Sequence, residues 1–146
     1  MTSEHLLHTI PPIYDGNSKI LILGSFPSVK SREVSFYYGH PQNRFWRVLA
    51  AVLGCAVPSS NEEKTALLQS HNIALWDVIK SCDIVGSSDS SIKNVVPNDI
   101  GVILSSCGIR QIYSNGKTSE KLFNKYIKDT VGRDTVALPS TSPANA

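Results

Sequence analysis

The chain has 146 residues, 41% of them hydrophobic, with 14 basic and 12 acidic side chains giving a net charge of +2. That size and apolar content suit one domain, residues 1–146, with one core. So small a basic excess excludes a broadly cationic nucleic-acid binder. Any DNA footprint must be local, drawn from Lys30, Arg32, Arg44, Arg47 and backbone amides.

Residues 1–18 are mixed, contain Pro11-Pro12 and Asp15-Gly16-Asn17, and read as an N-terminal arm ending in a turn. Lys19 to Leu23 is a short apolar run stopped by Gly24, the pattern of a strand buried on both faces. Residues 25–42 read as a long loop, a length that in compact domains is often functional. Arg44 to Leu53 spaces Phe45, Val48, Leu49 and Val52 as a helix, with Gly54 as its stop. Asn61-Glu62-Glu63 opens a second helix reaching about Ser70, and Ile73 to Ile79 reads as a second strand. Residues 84–96 show no core pattern and read as a loop.

Pro97-Asn98-Asp99 is expected to begin a third helix that runs to about Cys107 and stops at Gly108. Ile109 to Tyr113 gives a third strand and Asn115-Gly116 a turn. Thr118 or Ser119 caps a helix carrying Leu122, Phe123, Tyr126 and Ile127, broken at Val131-Gly132. Thr135 to Leu138 is a fourth short strand, followed by a Pro/Ser/Thr-rich end. Strand–helix alternation predicts an α/β domain with a central, mostly parallel sheet of about four strands. No closing helix follows the last strand. Either the natural end is expected to lie further on, or the N-terminal arm covers that strand.

Cys55, Cys82 and Cys107 are far apart, form no C-x-x-C pair and have no His at zinc spacing. That predicts reduced thiols in a reducing compartment and neither a zinc site nor a four-cysteine cluster. Met1 to His5 lacks a signal-peptide pattern, and no apolar run approaches the ~20 residues of a membrane span.

The stretch most rich in chemistry is Tyr37-Tyr38-Gly39-His40-Pro41-Gln42-Asn43-Arg44-Phe45-Trp46, after a strand ending in Gly24-Ser25-Phe26-Pro27-Ser28. It offers flat faces, a neutral amide and a cation, the parts needed to hold a base outside a nucleic-acid stack. Each part also has a plainer use. Tyr38 could pack in the core, His40 could fix its loop, and Asn43 could cap the helix it precedes. Asp77 follows an apolar run. An ionised carboxylate there accepts hydrogen bonds only, which suits the N1–H of hypoxanthine or the N3–H of uracil and repels adenine N1.

Taken together these segments resemble the uracil-DNA glycosylase superfamily, in particular its hypoxanthine-DNA (deoxyinosine) glycosylase branch. Leu75-Trp76-Asp77-Val78-Ile79, Gly86 to Ser90, Asn115-Gly116 and Leu138 to Asn145 complete the pattern, from about residue 19 to residue 146. The His-Pro and Asn-Arg-Phe-Trp block is also similar to mismatch-specific uracil/thymine-DNA glycosylases. The resemblance implies a three-layer α/β/α sandwich and metal-free, cofactor-free hydrolysis of an N-glycosidic bond. Its substrate would be DNA carrying a deaminated base: hypoxanthine, uracil or xanthine. By motif position Tyr38 stacks on the flipped base. Phe26 stands where relatives carry a catalytic Asp, Asn or Glu, so Asn43 is the catalytic candidate. Ser25, Phe26 and Asp77 read the base. Ser28, His40, Ser140, Thr141, Ser142 and Asn145 contact DNA. A monomer acting in the cytoplasm, or in a eukaryotic nucleus, is expected. Two alternatives stay open: a uracil glycosylase of the mismatch-specific type, and a non-catalytic nucleic-acid or nucleotide-binding module. A magnesium-dependent nucleotide hydrolase fits worse, because there is no Gly-Lys-Ser/Thr phosphate loop and no carboxylate cluster.

Overall fold

A computed structural model describes residues 3–142. The strands are β1 (Glu4–Leu7), β2 (Ile20–Gly24), β3 (Ile73–Asp77), β4 (Ile79–Ile84), β5 (Lys93–Pro97), β6 (Gln111–Asn115) and β7 (Val136–Leu138). The helices are α1 (Val29–Val34), α2 (Phe45–Leu53), α3 (Asn61–Ser70), α4 (Gly101–Ser106), α5 (Lys117–Tyr126) and α6 (Lys128–Val131).

Four strands form a parallel sheet in the order β3-β2-β6-β7. Strand alternation decides what each face buries. Ile22 of β2 and Ile73 and Leu75 of β3 meet Phe45, Trp46 and Leu49 of α2 and Leu68 of α3 on one side. Leu21 and Leu23 of β2, Ala74 of β3 and Ile112 of β6 meet Ile103 of α4 and Phe123 of α5 on the other. This is the expected α/β/α sandwich, and Leu21, Leu23 and Leu75 are fully buried between its layers.

A second, antiparallel sheet, β1-β4-β5, corrects the sequence reading. The run from Ile73 to Ile79 is not one strand. β3 ends at Asp77, and the chain turns into β4 at Ile79, so Val78 is the corner between the sheets. Buried Asn98 pins this corner. Its Nδ2 donates to the carbonyls of Asp77 (2.9 Å) and Ile79 (3.1 Å), and its backbone N–H donates to Val78 O (2.7 Å). Asn98 therefore does not start the third helix, which begins at Gly101. The supposed loop at 84–96 holds most of β5, and the long loop 25–42 holds α1. These elements escaped notice for a physical reason. β5 shifts register against β4, and Asn94 there has φ 54°, so neither strand shows clean period-2 alternation.

The N-terminal arm does not cover β7, whose three residues are exposed. It lies at the opposite edge, where Ile13 bridges Leu75 of β3 through bonds of 2.9 and 2.8 Å, and at the second sheet, where β1 pairs with β4. Among the described residues no helix is long and apolar enough to cross a membrane.

Candidate active site

The carboxyl ends of β2, β3 and β6 deliver Gly24, Asp77 and Asn115 to one mouth, the place where open parallel sheets bind ligands. A cavity of about 500 Å³ opens there. Ser25, Phe26, Ser28, Tyr38, His40, Asn43, Asp77, Ser140, Thr141 and Ser142 all line it. Asn145 lies outside the described residues.

The floor is built around Gly24. A Cβ at this position would lie 2.3 Å from Asp77 Oδ1 and 3.1 Å from the Tyr38 hydroxyl, so only glycine lets the carboxylate lean against β2. The other oxygen, Asp77 Oδ2, is 2.7 Å from His8 Nε2, and both side chains are almost wholly buried (1% and 5% exposed). The His8 ring meets Phe26 edge-on at 6.0 Å and Tyr37 at 6.1 Å. Tyr37 is buried and donates to Pro11 O at 2.9 Å. Burial, and secondly the charge of Asp77, push both Tyr37 and Tyr38 far above the usual phenol range, so both stay protonated at neutral pH.

Tyr38 has φ 54°, an uncommon backbone state for a bulky residue and one that clusters at functional sites. One ring face stacks on Phe45, with centroids 4.1 Å apart and planes 17° from parallel. The remainder of the half-buried residue borders the cavity. Its hydroxyl is sealed from solvent and meets no partner in hydrogen-bond geometry among the described residues. The neighbouring Asn115 amide favours the phenolate slightly but is itself committed to Thr141.

Asn43 stands at the α2 entrance. The N-cap itself is Arg44, but Asn43 Oδ1 accepts the N–H of Phe45, the first helical residue, at 2.9 Å, an Asx-type bond that does the capping work anticipated for it from one position earlier and fixes the amide plane. His40 Nδ1 accepts the Gln42 N–H at 3.0 Å, which places that ring's own N–H on Nε2. Ser28 caps α1 by accepting from Ser31 N at 3.1 Å. Ser25 Oγ lies 3.5 Å from Asp89 Oδ1 across the mouth. Desolvation raises the Asp89 carboxyl above its ordinary range, opposed by Ser25 and Thr118.

The far wall is the loop after β7. Asn115 Nδ2 donates to Thr141 Oγ1 (3.0 Å) and Asn115 Oδ1 accepts from Thr141 N (3.2 Å). Gly116, at φ 101°, leaves room for Ser140, whose Cβ lies 2.9 Å from where a side chain would start. Arg44 donates from its backbone to Thr141 O (3.0 Å) and from its guanidinium to Ser140 O (3.2 Å). The guanidinium of Arg32 donates to Gly86 O (2.8 Å) and lies over Phe26. Two cations read as DNA contacts thus serve to hold the walls of the cavity.

The sequence reading missed His8. It sits in a mixed polar arm, and only the pairing of β1 with β4, extended by His8 N–H to Lys80 O at 2.7 Å, carries it to Asp77.

The sequence and the fold both have clear relatives. The family model described as the uracil DNA glycosylase superfamily matches residues 11–146. A protein named hypoxanthine DNA glycosylase from Methanosarcina barkeri is 36% identical over 137 residues, 92% of this chain and 85% of the relative. One of the same name from Methanosarcina acetivorans shows the same identity and coverage. A solution NMR structure of a candidate uracil DNA glycosylase from M. acetivorans superposes with a TM-score of 0.81 at 36% identity, covering 93% of this chain and 84% of that one. With its parallel sheet, its strand-end cavity and these relatives, the chain belongs to the uracil DNA glycosylase superfamily.

Proposed function

We propose that the protein excises hypoxanthine from DNA by hydrolysing the N-glycosidic bond of a flipped deoxyinosine. The observation that carries this reading is the single cavity shared by Tyr38, Asn43, Asp77 and Ser140 to Ser142. The two relatives named hypoxanthine DNA glycosylase support it.

Flipping costs a few kcal/mol, least for a mispaired base. The Tyr38 ring, backed by Phe45, receives the base at about 1–3 kcal/mol of stacking. Asp77 accepts the base's N1–H. As the bond loosens the sugar gains oxocarbenium character and negative charge gathers on the leaving purine. Backbone N–H groups at Ser25 and Phe26 stabilise that charge. Asn43, its plane held by the Phe45 N–H, directs a water toward C1′. An amide is no general base, so leaving-group stabilisation carries most of the acceleration. Ser28, His40 and Ser140 to Ser142 form the rim that meets the DNA backbone. The enzyme acts as a monomer in the compartment that holds the genome.

Uracil and xanthine share the N–H edge that Asp77 reads, so both are secondary substrates. Abasic-site formation is measured on oligonucleotides carrying hypoxanthine, uracil or xanthine. Fastest cleavage at hypoxanthine supports the reading. Faster release of uracil makes this a uracil glycosylase. Binding with no abasic product makes it a binding module.

A further inference from the structure

We propose that His8 is a positioning residue for base recognition: it holds the Asp77 carboxylate in its ionised form and aims the carboxylate's second oxygen at the base. This rests on the reading of Asp77 above. It extends the site to the N-terminal arm, ahead of the first residue that the family model matches, Pro11.

The argument is geometric. Asp77 is buried at the last position of β3, where an ionised carboxylate without a donor is strongly disfavoured. His8 Nε2 lies 2.7 Å from Oδ2, where a ring N–H donates to the carboxylate. Oδ1 is left against Gly24, at the cavity floor. The ring is held in place from several sides. Phe26 and Tyr37 flank it, its backbone is tied to Lys80 O, and its side chain is 1% exposed.

Selectivity follows from charge state. An ionised Asp77 can only accept, so it matches the ring N–H that deamination creates in hypoxanthine and is mismatched to adenine N1. Were Asp77 protonated, it would donate and the discrimination would be lost. Of the described titratable and charged groups, Tyr37 and Tyr38 feel the charge of Asp77 and are held protonated by burial, Asp89 and His40 line the same cavity, and Arg32 lies beyond Phe26. Removing the donor at residue 8 therefore acts on Asp77 first.

The test is the pH profile of kcat/KM for hypoxanthine excision from pH 5.5 to pH 9, measured on the full chain. His8→Leu removes the donor at similar volume. His8→Gln keeps an amide N–H at the reach of Nε2. The expected result is a roughly tenfold loss for His8→Leu at pH 6 that shrinks as pH rises, since a hydrogen bond to a charged group has been lost. His8→Gln should return the acid limb toward that of the wild type. A uniform loss in His8→Leu across the whole range, or no loss, overturns the proposal. Where His8→Leu does not fold, His8→Asn decides. Its amide is one carbon too short to reach Oδ2, so the same acid-side loss is expected, and a profile that matches the wild type overturns the proposal. A wild type that leaves hypoxanthine in place but releases uracil defeats the substrate reading alone, and the same profiles are then taken on uracil.

Discussion

Tyr38 stacks on Phe45 with ring centroids 4.1 Å apart, while its hydroxyl sits sealed beside Asp77 and Gly24 with no hydrogen-bond partner among the described residues. The two halves of the side chain therefore have different value. The ring is a plate backed by α2, and the hydroxyl is a desolvated group with no compensating bond. Tyr38→Phe should keep hypoxanthine excision within about threefold of wild type and leave stability unchanged or raised by ~1 kcal/mol, since a buried unsatisfied group is removed. Tyr38→Ala should lose roughly 10–100-fold in kcat/KM, the equivalent of ~1–3 kcal/mol of stacking. Single-turnover rates and thermal melts on both variants check this. A Tyr38→Phe protein as impaired as Tyr38→Ala would show that the hydroxyl, not the ring, is the working part.

Gly24→Ala tests how tightly the floor is built. Its Cβ would start 2.3 Å from Asp77 Oδ1, so the carboxylate has to move, and with it the His8 bond. Overpacking of this kind costs about 1–3 kcal/mol of stability. The expected signature is a loss of excision larger than the loss of stability accounts for. Urea unfolding set beside excision rates separates the two, and full activity in a stably folded Gly24→Ala would mean that Asp77 does not read the base.

Much of this was legible in the chain, and the limits have causes. The strand at Ile20–Gly24 is a continuous apolar run, and α2 repeats its apolar residues at helical spacing, so both declared themselves. Tyr38, Asn43 and the Ser140–Ser142 loop were recognised by motif order, and one cavity gathers them. The second sheet was not legible. β1 is mostly exposed and β4 interleaves the polar Lys80, Ser81 and Asp83 with its buried apolar residues, so the period is masked. His8 depended on that sheet, since a long-range strand pairing leaves no local trace in the residues around it. The structural part played by Arg32 and Arg44 was hidden for a similar reason. A cation's sequence position shows its charge but not the backbone carbonyls that fold around it.

Asn115 and Thr141 exchange two hydrogen bonds across the mouth, and they join the loop after β7 to the end of β6. Asn115→Ala removes both and leaves Thr141, which is buried, with an unmet backbone N–H, at a cost of roughly 1–3 kcal/mol. Because this loop forms the rim and not the floor, the loss should fall on DNA binding. Fluorescence anisotropy with an inosine duplex should show weaker binding, while the single-turnover rate at saturating enzyme stays within about threefold. An equal fall in both would place Asn115 in the chemical step.

Asn43 carries two duties that substitution can separate. Its Oδ1 holds the Phe45 N–H at the start of α2, and the residue lines the cavity, where the water is proposed to bind. Asn43→Ala ends both duties, costing about 0.5–2 kcal/mol of stability through the lost cap and most of the excision rate. Asn43→Asp keeps the cap acceptor and adds negative charge at a helix N-terminus, which is favourable by roughly 0.3–1 kcal/mol. The Asp variant should therefore melt at or above the wild type, so that any change in its excision rate reports chemistry and not folding. If Asn43→Ala excises hypoxanthine as fast as the wild type while melting lower, Asn43 is a cap alone and the water is positioned by another group.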